Sequence, residues 1–208
     1  AIHTTSAPAD IETYFQGVRK IVTEAMTVFG EYPAFDTGTY TFLADYIPGN
    51  GGDGMEHRNS TVVSGRGNVR TGLATASHEF FHAWNVERIR PQGLEPFNYE
   101  EANLTDLLWV GEGFTQYYGS LIMGRTGLSD LRRTVTAMGN LADSVINDSG
   151  RQFRSPVEMS QMAPFTDAAR AVDPTNFDIT FISYYTYGGA VALGLDLSLR
   201  DRTNGTVT

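Results

Sequence analysis

The chain has no cysteine in 208 residues. Disulfides and thiolate metal sites are therefore excluded, and a bound metal has only histidine and carboxylate ligation open to it. The compartment is left open. Cationic side chains are also scarce, 15 Lys and Arg against 24 Asp and Glu, for a formal net charge of −9. That balance argues against a nucleic-acid binder, which needs a cationic face to neutralise phosphates. It fits a soluble protein with some attraction for cationic peptide N-termini. No apolar stretch approaches the ~20 residues of a membrane-spanning helix, and there is no internal repeat or low-complexity linker. The N-terminus Ala1-Ile2-His3 carries neither an initiator Met nor a signal-peptide pattern, and reads as an excised or processed piece. With 41% hydrophobic residues, the chain suffices for one large or two small cored units.

Histidine is scarce too, yet two of the 4 stand in His78-Glu79-Phe80-Phe81-His82. On a helix, positions i and i+4 share a face, so both imidazoles can reach one metal ion. Glu79, one position round, then addresses the water or substrate held there. From this composition about 0.004 chance matches to H-E-x-x-H are expected, so two helix histidines satisfied by hydrogen bonds are the weaker reading.

A catalytic zinc site needs a third protein ligand and an open fourth position. Two carboxylates compete for that role. Glu101 lies in the polar run Asn98-Tyr99-Glu100-Glu101-Ala102-Asn103, which reads as a solvated loop or helix start. Glu112 lies in Leu107-Leu108-Trp109-Val110-Gly111-Glu112-Gly113-Phe114, apolar on nearly every face and so expected to be buried. A buried carboxylate is costly unless paired or bound to a metal, which favours Glu112; an arginine partner is the structural alternative.

The run HEFFHAWNVERIRP from His78 to Pro91, followed by LLWVGEGFTQYY from Leu107 to Tyr118, resembles the glycyl aminopeptidase family of zinc peptidases. That family belongs to the gluzincin clan and is distantly related to aminopeptidase N. Gly54-Met55-Glu56-His57-Arg58-Asn59-Ser60 occupies the place of the Gly-x-Met-Glu-Asn exopeptidase motif, with His57 where that motif has Asn. Trp84 continues H-x-x-H-x-W. Tyr185-Thr186-Tyr187-Gly188 resembles the Tyr-x-Lys-Gly segment that carries a transition-state tyrosine. Tyr187 stands there in place of Lys, so Tyr184 and Tyr187 stay open as alternatives to Tyr185. The resemblance runs from about Tyr40 to Arg200.

The resemblance implies one zinc ion per chain held by His78, His82 and Glu112, the last in the family's Glu-Gly-(Phe/His)-Thr context. A loop with Pro91, Gly93 and Pro96 absorbs a spacing wider than in aminopeptidase N. Glu79 is then the general base and Tyr185 the donor to the oxyanion. Glu56 is the anchor for the ammonium of peptide substrates with a free N-terminus. Small N-terminal residues such as Gly or Ala are the expected preference, with Phe80, Phe81, Tyr184 and Tyr187 at hand to crowd the pocket. An endopeptidase and a non-catalytic peptide-binding module are the alternatives. The implied fold is α+β, predominantly α: a thermolysin-like single catalytic domain over 1–208, with a sheet-containing part over about 1–90 and a helical lobe over about 105–208. Relatives usually carry a β-rich region before this domain and a PDZ domain after it.

Local signals predict a helix over about Ile11–Phe29, N-capped by Asp10 and closed by Gly30, and strands over Thr39–Tyr46 and Ser60–Ser64. A Pro/Gly/Asn turn region, Ile47–Asp53, delivers Glu56 on a loop. Helices follow over Gly72–Asn85, Thr105–Arg125, Leu131–Asp148 with Ser129 as cap, and Tyr184–Asp201, and Ser155-Pro156 opens a short one.

Overall fold

A computed structural model describes residues 1–166 and 174–207. It is α+β and predominantly helical, as expected. In chain order the elements are β1 (Ile2–Thr4), α1 (Pro8–Phe29), β2 (Thr41–Tyr46), β3 (Asp53–His57), β4 (Ser60–Gly65), α2 (Leu73–Phe81), α3 (Leu108–Arg125), α4 (Leu131–Asn147), α5 (Pro156–Gln161), α6 (Ala163–Thr166), α7 (Pro174–Thr180) and α8 (Tyr184–Thr203). They fall into two compact units. One holds Ala1–Ile89 and Tyr118–Thr134, the other Arg90–Tyr117 and Val135–Thr208, so α3 and α4 each run from one unit into the other.

The first unit contains the sheet, in order β1-β2-β4-β3. β1 and β4 run parallel to β2, whereas β3 is antiparallel to β4, with Gly54 opposite Val63 and Glu56 opposite Thr61. A parallel neighbour requires a crossover, and α1 supplies it between β1 and β2. Its residues Tyr14, Val18, Ile21 and Ala25 recur at helical spacing and are all buried. β4 alternates buried and half-buried positions, with Thr61, Val63 and Gly65 facing inward. The core closes around α2, where Phe80 meets Tyr40, Phe42 and Trp84 at ring-centroid distances of 5.0, 5.5 and 5.4 Å. Phe81 stacks on Tyr118 and Trp84 on Phe29, with ring planes nearly parallel in both cases.

The second unit has a smaller buried cluster, Met159, Ala163, Ile182 and Tyr184. α5 opens at Ser155-Pro156 as expected, and a capping box closes its start, in which Ser155 and Glu158 each satisfy the other's backbone N–H. Where α3 and α8 cross, Gly113 and Gly188 bring the two backbones together: a Cβ on Gly188 would stand 2.9 Å from the Gly113 Cα. Tyr117 donates to the buried Asp196 carboxylate at 2.5 Å, and Arg200 does so at 2.8 Å.

Several local expectations are corrected. α1 starts three residues early, with Pro8 in its first turn and Ala7 at the N-cap. The Asp10 carboxylate is taken by Asn68 and Arg70. Asp130, not Ser129, caps α4, accepting from the Arg133 amide at 2.8 Å. β1, β3 and α7 carry no clear periodic signal and were not expected. No helix among the described residues is long and apolar enough to cross a membrane.

Candidate active site

The short helix α2 carries His78 and Glu79, and His82 is its C-cap residue, still in right-handed helical conformation with φ −61° and ψ −17°. The predicted continuation to Asn85 is instead a series of turns. Those turns have a use. They fold the chain back so that His82 Nδ1 lies 2.6 Å from the carbonyl oxygen of Asn85. A carbonyl can only accept, so Nδ1 holds the ring proton and Nε2 presents its lone pair. Arg88 anchors the same turn, donating to the carbonyls of Ala83 and Ala34.

His82 Nε2 faces His78 Nε2 at 3.1 Å, with the rings nearly perpendicular. Two nitrogens bound to one tetrahedral zinc at 2.0–2.1 Å stand roughly 3.3 Å apart, so this spacing suits a shared cation. His82 is 1% exposed.

Glu79 is buried and its carboxylate lies against Gly54 of β3. Glu56, two residues along the same strand, is half-buried, and Glu56, Glu79 and His82 each offer a donor atom within 4.8 Å of the others. Glu56 is thus on a strand rather than the expected loop, and the strand's alternation puts Gly54 and Glu56 on one face. Burial, and then the charges of Glu79, Glu56 and Glu87, push the Tyr40 hydroxyl above its ordinary range. That hydroxyl is buried without a hydrogen-bond partner among the described residues.

Glu112 is on α3 and is half-buried rather than buried. Glu101 is exposed in the irregular segment before that helix. The start of α3 is fixed by Ser160, whose hydroxyl accepts from the Trp109 amide at 3.0 Å. Two turns after Glu112, Gly119 lies against α2: its carbonyl accepts from Ser77, and a Cβ there would be 3.3 Å from the His78 backbone.

The three tyrosines differ in surroundings. Tyr184 is a core residue, whereas Tyr185 and Tyr187 are half-buried at the start of α8; Ser183 caps this helix by accepting from the Tyr185 amide. Phe80 and Phe81, offered by the sequence as pocket residues, belong to the first unit's core. Sequence reasoning missed the Asn85 carbonyl and Gly54. The first acts through its backbone and leaves no residue-type signal, and the second matters only through the contact with Glu79.

Residues 71–191 match the family model of the M61 glycyl aminopeptidases. The chain belongs to that family. Among solved structures it is similar to the crystal structure of an aminopeptidase N family protein from Idiomarina loihiensis, with a TM-score of 0.84 and 29% identity over 95% of this chain. It spans 35% of that relative's length. No curated protein matches it.

Proposed function

We propose that this chain is the catalytic portion of a zinc-dependent aminopeptidase. The carrying observation is the pair of histidine Nε2 atoms 3.1 Å apart, one held in its metal-binding tautomer by a backbone carbonyl. Glu112 is the third ligand in this reading. It shares a helix face with Gly119, seven residues on, which lies against His78. When bound, zinc supplies a Lewis acid that polarises the scissile carbonyl and acidifies a water molecule.

The protein's own groups do the rest. Glu79 accepts the water proton and returns it to the leaving amine, so that water adds across the C–N bond and the proton count balances. Its burial supports this role, because the carboxylate is held in a defined place beside His82. The Tyr185 hydroxyl donates to the oxyanion of the tetrahedral intermediate. Glu56 accepts from the substrate ammonium and so restricts cleavage to the first peptide bond. Its nearness to Glu79 and His82 supports that assignment over a solvated surface charge. The preference for Gly or Ala rests on the family alone.

The test is a panel of Gly-, Ala- and Leu-amides with free and acetylated amines, with and without a chelator, on wild type and Glu56→Ala. Turnover of free amines that a chelator abolishes is expected. Glu56→Ala should weaken free-amine substrates selectively, by a charge-assisted hydrogen bond of about 1.5–3 kcal/mol. Equal loss on free and acetylated substrates contradicts the anchor role. Efficient cleavage of blocked peptides favours an endopeptidase.

A further inference from the structure

We infer that Gly54 is a positioning residue for Glu79: the bare backbone of β3 at this point leaves the space that the carboxylate occupies. The inference rests on the proposed role of Glu79 as the base. A Cβ built on Gly54 would collide with Oε1 and stand 2.6 Å from the Cδ and 2.8 Å from the Cγ of Glu79. These are the nearest atoms to it, and all belong to the acid side chain.

Backbone conformation does not explain the glycine. Gly54 is in a regular antiparallel strand opposite Val63 and is not among the glycines with positive φ. Alanine is compatible with that backbone, and glycine in a strand is if anything unfavourable. What glycine provides is room. Glu79 is 6% exposed, so its carboxylate has a defined seat and β3 forms one wall of it.

A consequence follows from which neighbour yields. The atoms met by an added methyl are the far end of a flexible side chain, whereas β3 is held in register by five residue pairs with β4. Gly54→Ala therefore moves Glu79 rather than the strand. The fold tolerates the change while the chemistry does not. Because Glu56 follows two residues later on the same face, β3 places the ammonium anchor and seats the base at once.

The experiment compares wild type, Gly54→Ala, Glu79→Asp, the Gly54→Ala/Glu79→Asp double variant, Glu79→Gln and the control Gly52→Ala, whose Cβ would meet nothing within 4 Å. For Gly54→Ala the expected result is a fall in kcat of about a hundredfold, the size associated with misplacing a reacting group by about 1 Å. KM, zinc content and melting temperature should stay near wild type, and a crystal structure should show the Glu79 carboxylate displaced with β3 unmoved. Glu79→Asp, which retracts the carboxylate, should cost less in the Gly54→Ala background than in wild type, because the two changes act on one group. Wild-type kcat, an unmoved Glu79, additive losses, or a Gly54→Ala protein that fails to fold would each overturn the inference. If Glu79→Gln is inactive and Gly54→Ala is fully active, only the positioning role fails. Should Glu79→Gln keep full activity, the assignment of the base fails and this inference falls with it.

Discussion

HEFFHAW in the first unit and YYTYGG in the second are both short, aromatic-rich segments, yet they are held in place by opposite means. In the first, Phe80, Phe81 and Trp84 are all buried and fill a core of rings, which leaves the histidines and Glu79 on defined faces of α2. Of the three tyrosines in the second only Tyr184 is buried, and α8 is located by the absence of side chains, where Gly188 meets the backbone of α3 at Gly113 and Trp109. Filling a core fixes a helix through many weak contacts. Two glycines fix it through one close approach. The same crossing explains why a glycine directly follows Glu112.

The contrast can be broken from either side. Phe80→Ala removes the ring at the centre of the aromatic cluster and should cost about 3–5 kcal/mol, by loss of buried surface and by the cavity left behind. Chemical denaturation would register it as a lower midpoint at unchanged slope. Gly188→Ala should cost less, about 1–3 kcal/mol, because it overpacks a tight contact without opening a void. Here the displaced partner is backbone, so relief requires a helix shift and activity should fall along with stability. Stability unchanged in Gly188→Ala would mean that α8 is positioned by its tyrosines after all.

This difference also governs what the sequence could reveal. H-E-x-x-H is legible because a period of four on a helix and three chemically distinctive residues coincide. Phe80 and Phe81 are legible as apolar but not as core, since one chain does not say which side of α2 meets the sheet. β3 reads as a loop because Asp53-Gly54-Met55-Glu56-His57 contains a glycine and charges, and its strand identity comes from pairing with β4. Asp10 looks like a cap, but Pro8, suited to the first helical turn, starts α1 earlier and frees the carboxylate for Asn68. The half-burial of Glu112 departs from a pattern that looks apolar all round, because α3 alternates buried and half-buried positions from Gly111 to Ser120.

In the proposed function His78, His82 and Glu112 hold one zinc ion. Anomalous diffraction at the zinc edge, on crystals of the zinc-loaded protein, tests it directly. One peak per chain is expected, about 2.0–2.1 Å from both Nε2 atoms and about 2.0–2.2 Å from a Glu112 oxygen. No peak between the two imidazoles, or a peak whose carboxylate ligand is Glu101, would contradict it.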